Sequence, residues 1–210
     1  VARGTIALLL GVAGLAGACE DESLLVRDDR VCLEGRDGET FCIDQYEAAR
    51  IDGTAVDQGA EEDEGSVSLR GRLPWTNVEW ANARQACRDA GKRLCTVEEW
   101  EDACDGTIGE GGNVYPYGDE LMPGVCVTEL TLQDDPLPTG SRPGCVSDFD
   151  VFDLGGNVWE WVGRTQEDAQ VIGGGIASGM THRCARIPQG RPFDVDDEDP
   201  ILGFRCCSAP

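Results

Sequence analysis

From Phe41 to Glu47 the chain reads Phe-Cys-Ile-Asp-Gln-Tyr-Glu. Apolar and polar side chains alternate there, which predicts a strand with one face buried. Two later stretches switch to a spacing of three and four. Trp80, Ala83, Cys87 and Ala90 fall on one helical face, and Gly91 stands where a left-handed residue ends a helix. Just before them, Thr76-Asn77-Val78-Glu79 predicts a capping box, the Thr hydroxyl accepting a first-turn amide while Glu79 reaches back. Thr96-Val97-Glu98-Glu99 repeats the device, with Val97, Trp100 and Cys104 on one face and Gly106 at the end. Each helix turns a Trp and a Cys inward, as a packing face does. After Gly106 the periods stop, and Gly, Pro and Asp become frequent. No repeat and no second domain boundary are visible. The pattern predicts one loop-rich α+β domain, with two short helices and short antiparallel strands held by cross-links.

The start of the chain is patterned differently. Ile6 to Ala18 is apolar and uncharged, with Arg3 before it and small residues at its end. The run is shorter than the roughly 20 residues of a membrane span and suits an export signal. Leu15-Ala16-Gly17-Ala18-Cys19, followed by acidic Glu20-Asp21-Glu22, is similar to a bacterial lipoprotein cleavage box. The expected organisation is a signal peptide at 1–18, a lipid-anchored acidic tether at 19–31 and a domain at 32–210. Lipidation at Cys19 places the protein in the bacterial cell envelope, in contact with a membrane through its anchor only. An ordinary cut near Ala18 makes it secreted or periplasmic instead.

Composition narrows the function classes. Seventeen Lys and Arg stand against 40 Asp and Glu, a net charge of −23. That excludes nucleic acid as a partner, since phosphate affinity comes from clustered cations. His182 is the single histidine, so no site of two or three imidazoles can form. Eleven cysteines are an odd number. With Cys19 lipidated, ten remain for five disulfides in an oxidising compartment. No Cys-x2-Cys spacing points to zinc. No Ser-His-Asp set and no Gly-rich phosphate loop are legible. Glu61 to Glu64 and Asp194 to Asp199 read as solvated acidic loops, the latter lacking the spacing and central Gly of an EF-hand.

Several segments together resemble the formylglycine-generating, sulfatase-modifying-factor domain family. They are Phe41-Cys42-Ile43-Asp44-Gln45-Tyr46-Glu47, Leu73 to Ala83, Gly91-Lys92-Arg93-Leu94-Cys95-Thr96, Glu99 to Cys104 and Tyr115-Pro116-Tyr117-Gly118. Phe152-Asp153-Leu154-Gly155-Gly156-Asn157-Val158-Trp159-Glu160-Trp161, Gly173-Gly174-Gly175 and Gly203-Phe204-Arg205-Cys206 follow in order. The resemblance implies a compact α+β, C-type-lectin-related single domain over about residues 40–208. The family's enzymes oxidise a sulfatase cysteine to formylglycine, the best-known ones with copper on a Cys-x4-Cys pair after the Gly-Gly motif. Here that stretch, Gly175 to Cys184, holds Cys184 alone, with Ser178 about where the first thiol is expected. Two thiolates are needed to hold a soft Cu(I) ion, so copper is not expected.

The resemblance also implies a Ca²⁺ loop, with side chains of Asp153 and Glu160 and carbonyls of Gly156 and Val158 as ligands. A Gly-rich turn that converges carbonyls suits such a hard cation. By the same resemblance Cys87 pairs with Cys206, and Cys104 with Cys184. Cys126 and Cys145 flank one excursion and are expected to pair. Cys32, Cys42, Cys95 and Cys207 then allow three pairings, of which Cys32–Cys42 with Cys95–Cys207 is preferred. Arg183, Arg186 and Arg205 are expected to pair with carboxylates. The favoured function is a non-oxidase binding or scaffold module, its ligand an envelope protein or a glycan. The alternatives are a divergent protein-modifying enzyme, with Ser178, His182 and Arg183 as its weak catalytic candidates, and an envelope structural protein.

Overall fold

A computed structural model describes residues 28–61, 65–106, 112–128, 131, 134–176, 183–185 and 193–210. The described elements are β1 (Arg30–Glu34), β2 (Thr40–Asp44), β3 (Ala48–Arg50), β4 (Ser66–Ser68), α1 (Trp80–Asp89) and β5 (Arg93–Leu94). They continue with α2 (Val97–Asp105), β6 (Trp159–Val162), β7 (Gln170–Ile172), β8 (Leu202–Phe204) and β9 (Cys206–Ser208). One sheet has the order β1-β2-β9-β5, a second pairs β3 with β4, and a third has the order β7-β6-β8. All pairings are antiparallel except β6 with β8. This is the α+β domain expected, and among the described residues no helix is long and apolar enough to cross a membrane.

The expected strand at 41–47 is cut short. β2 ends at Asp44 and the chain bends through Gln45 and Tyr46 before β3. The Tyr46 amide donates to Ser68 Oγ at 3.0 Å, and Glu47 is drawn wholly into the interior. The first capping box is also absent. α1 has Glu79 as N-cap with no side-chain cap bond. Thr76 is buried three residues earlier and accepts from Gln58 Nε2 at 2.8 Å. Asn77 takes a φ of 54° and donates its amide to the Asp199 carbonyl, which keeps this turn out of the helix. The second box forms as expected: Thr96 Oγ1 accepts from the Glu99 amide at 3.2 Å, and Glu99 Oε2 accepts from the Thr96 amide at 2.9 Å. Gly106 ends α2 in the left-handed region at φ 72°.

Period-two burial divides the core. Trp159 and Trp161 of β6 pack with Trp75, Leu202, Phe204 and the buried face of α1. Val162, on the other face of β6, joins Phe41 and Ile43 of β2 with Trp100 and Ala103 of α2. The disulfides are Cys32–Cys42, Cys87–Cys206, Cys95–Cys207, Cys104–Cys184 and Cys126–Cys145. Five such links fit an oxidising compartment. Two of them reach the adjacent residues Cys206 and Cys207, so α1 and the β5–α2 junction are both sewn to β9.

Candidate functional site

The Gly-rich loop before β6 is buried along residues 153–158. Asp153 is held at φ 59°, donates its amide to the Cys145 carbonyl and accepts the Gly140 amide on Oδ2 at 2.6 Å. Gly156 follows at φ 124°, with the Val127 carbonyl so close that a Cβ would stand 2.3 Å from its oxygen. Only glycine fits there. Asn157 donates to Glu47 Oε2 at 2.6 Å and to the Leu137 carbonyl at 3.1 Å, and its Oδ1 accepts the Leu137 amide at 2.9 Å. The Val158 amide donates to Glu47 Oε1 at 3.2 Å.

Glu160, on the inner face of β6, is answered by Arg205 from the junction of β8 and β9. Arg205 Nε and Nη2 donate to the two Glu160 oxygens, each at 2.7 Å, in a forked pair. Trp100 Nε1 of α2 donates to Glu160 Oε2 at 2.7 Å. The remaining Arg205 donors reach the Asp44 carbonyl at 3.1 Å and the Phe152 carbonyl at 2.9 Å. Arg205 is 0% and Glu160 1% exposed. Three carboxylates, Glu47, Asp153 and Glu160, thus surround one buried guanidinium.

This arrangement decides how the expected calcium ligands are used. Both Glu160 oxygens are bonded to a permanently charged guanidinium, and a divalent cation beside them would face that charge. Among the described residues no group of three or more His, Cys, Asp and Glu is disposed to hold a metal ion. Asp153, Gly156, Val158 and Glu160 share the loop; both Glu160 oxygens are bonded to Arg205, and Asp153 Oδ2 accepts the Gly140 amide. A melting temperature that EGTA leaves unchanged is expected from this pairing; a drop of several degrees on chelation would show calcium at the loop.

The excess of buried carboxylate moves its own titration. Burial drives the Glu47 carboxyl well above its ordinary range, and the charges of Asp153 and Glu160 push it the same way. Burial raises Asp153 to about 6, against the Gly140 amide and the Arg205 charge. Asp44 also rises to about 6 through burial, although Lys92 Nζ lies 2.6 Å away. Groups raised on folding hold their stabilisation fully below the unfolded value near 4 and lose it as pH climbs through about 6. Asp52, Glu99 and Asp168 shift downward, so their losses fall at more acid pH. The protein is therefore expected to melt several degrees higher at pH 5 than at pH 8, a difference on the order of 2 kcal/mol. Melting curves at constant ionic strength check this, and a flat or opposite trend refutes it.

Of the weak catalytic candidates, Arg183 alone lies among the described residues. Ser178 and His182 lie outside the described residues, as do Arg186 and Cys19. Arg183 is exposed, with its guanidinium 5.8 Å from the Tyr115 ring centroid. A concavity of about 670 Å³ lies between the β1–β2 turn and α2. Its three arginines are matched to carboxylates: Arg93 and Arg164 to Glu99, and Arg36 to Asp102 and Asp105. Glu47 is the central residue that the sequence reading passed over. Its signal was a carboxylate at the end of the alternating stretch Phe41 to Glu47.

The comparisons agree with this scaffold. The inactive Cα-formylglycine-generating enzyme 2 of Bos taurus is 32% identical over 157 residues, covering 65% of this chain and 50% of that protein. The formylglycine-generating enzyme of Mus musculus is 28% identical over 183 residues, covering 70% of this chain and 47% of that protein. The chain thus spans about half the length of these relatives. Among solved structures, CarF superposes with a TM-score of 0.62 at 16% identity, over 89% of this chain and 100% of that one. Treponema denticola variable protein 1 gives 0.62 at 14% identity, over 81% and 85%. These two likenesses concern the fold, which is C-type-lectin-like. The model of the sulfatase-modifying factor enzyme 1-like domain matches residues 39–210. Carrying that domain over most of its length, with its Gly-Asn-Val-Trp-Glu-Trp loop and Gly-Phe-Arg strand locked by Glu160 and Arg205, the chain belongs to the sulfatase-modifying factor enzyme 1-like domain family.

Proposed function

We propose that this protein is an exported, membrane-anchored binding or scaffold module and not a cysteine oxidase. One observation carries the reading: ten of the eleven cysteines are joined in five disulfides, and the eleventh is Cys19. Cu(I) requires two thiolates at one point. Cys184, the one cysteine in the stretch after Gly175, is bonded to Cys104. The bovine relative that is described as inactive supports the same reading. The fold then serves as a rigid frame whose loops, such as 134–150 and 193–199, meet an envelope protein or a glycan. The apolar run ending at Cys19 supports export and anchoring, with the acidic segment that follows as the tether.

The test is direct. Purified protein is supplied with Cu(I) and a cysteine peptide of the sulfatase type, under oxygen. Neither formylglycine nor copper retained against a chelating competitor is expected. Copper-dependent conversion of the peptide cysteine would overturn the proposal. The mass of the mature N-terminal peptide reads the anchor separately: a lipid-modified Cys19 supports it and an unmodified one removes it.

A further inference from the structure

The ten paired cysteines are not equivalent. Cys42, Cys87, Cys95, Cys104, Cys126, Cys145, Cys184, Cys206 and Cys207 are each at most 2% exposed, whereas Cys32 is exposed. Cys32 sits in β1, an edge of the four-stranded sheet, directly opposite Cys42. The Gly35 amide bonds the Glu39 carbonyl at 2.8 Å where the hairpin turns. Bonded and non-bonded pairs alternate from that point, which puts Cys32 and Cys42 at a pair that exchanges no ladder hydrogen bonds. The ladder runs instead through the flanking pairs Val31–Ile43 and Leu33–Phe41. Leu33 is buried, and Arg36 ties the turn to Asp102 at 2.7 Å and to Asp105. β1 therefore keeps its place without the disulfide. The link spans only 10 residues, against 80, 112 and 119 for the three that reach across the domain. Short closures constrain the unfolded chain least.

We propose that Cys32–Cys42 is a thiol-exchange site, opened by a protein dithiol that attacks the Cys32 sulfur while the other four disulfides stay closed. The step is a two-electron reduction. One thiolate of the dithiol bonds to Cys32 Sγ, and the Cys32–Cys42 bond breaks. Cys42 leaves as a thiolate and takes up a proton. The second thiol of the reductant, deprotonated, then attacks its own sulfur in the mixed disulfide and releases Cys32 as a thiolate, which is protonated in turn. The reductant ends as a disulfide and the protein as two thiols. Attack is confined to Cys32 because Cys42 is 1% exposed. The reduced protein displays one accessible thiol, Cys32, on the edge strand β1.

The experiment titrates native protein with dithiothreitol, quenches in acid, then denatures, alkylates and maps the peptides. Cys32 and Cys42 are expected to open together at a dithiol concentration about tenfold below that of the next pair, with the near-ultraviolet circular dichroism unchanged. Opening of another pair first or alongside, or loss of tertiary signal with the first opening, would overturn the site. The direction of attack is read from single variants with an aromatic disulfide reagent and peptide mapping. In Cys42→Ser, Cys32 is expected to react without denaturant; in Cys32→Ser, Cys42 is expected to react only on unfolding. Equal rates, reversed rates or an unreactive Cys32 would overturn it.

Discussion

Replacing Arg205 with Met is expected to destabilise the protein by about 3–5 kcal/mol, the range seen when one partner of a buried ion pair is removed. The substitution keeps much of the apolar stem and deletes the fork. Glu160 is then left to the Trp100 indole, in an interior it shares with Glu47 and Asp153. The Asp44 and Phe152 carbonyls lose a donor as well. Arg205→Lys is expected to recover only part of the loss, because an ammonium cannot make the two parallel bonds to Glu160. The pair Arg205→Met with Glu160→Gln removes the stranded charge and is expected to be more stable than Arg205→Met alone. Guanidinium unfolding of the three variants is the measurement. A cost below about 1 kcal/mol for Arg205→Met would mean that the guanidinium does not neutralise the cluster. The loss of stability with rising pH is also expected to steepen, since no guanidinium then opposes the upward shift of Glu47 and Asp153.

The same centre shows where the sequence was informative and where it was not. The second capping box was legible because all its parts lie within Thr96–Glu99 and nothing distant competes for them. The first failed for a reason no local window contains. Gln58, which lies 18 residues upstream, takes the Thr76 hydroxyl, and Asp199 takes the Asn77 amide. Tertiary bonds override a local signal when they satisfy the same groups more completely. Asp153 and Glu160 were legible as important, because acidic residues around a Gly-rich loop rarely go unused. Their partners Arg205 and Gly140 were not legible, since the sequence does not show which distant donor a buried carboxylate meets. An arginine in the apolar context Leu202-Gly203-Phe204-Arg205-Cys206 did carry a hint. A buried guanidinium must find a carboxylate, and Glu160 stands opposite Gly203 in the parallel β6–β8 ladder. The cysteine pairings were readable where the family resemblance anchored them. The four left over pair as preferred, Cys32 with Cys42 and Cys95 with Cys207, and β9 between β2 and β5, with Cys207 opposite both Ile43 and Arg93, is what fixes the choice.

Those adjacent cysteines support the largest effect expected of any change here. Cys87–Cys206 spans 119 residues and Cys95–Cys207 spans 112. Taken singly, a loop of about 100 residues is worth about 5 kcal/mol in the chain-entropy model. The two links, however, run side by side. With either one intact, the other closes a ring of only roughly ten residues, worth about 3 kcal/mol. Cys104–Cys184 lies inside both intervals and shortens the wider ring further. Removing Cys87–Cys206 as a double Ala variant is therefore expected to cost about 3 kcal/mol, and removing Cys95–Cys207 the same. Removing both deletes the short ring and the long one, about 7 kcal/mol in all. That loss is comparable to the whole stability of many domains, about 5–15 kcal/mol. It releases α1 and the start of α2 from β9 together, so the four-cysteine variant is expected to populate unfolded chain without denaturant. Guanidinium unfolding of the two double variants and the quadruple variant decides it. If one double variant were as unstable as the quadruple, the two links would not share the constraint, and the parallel placement of Cys206 and Cys207 would have no thermodynamic consequence.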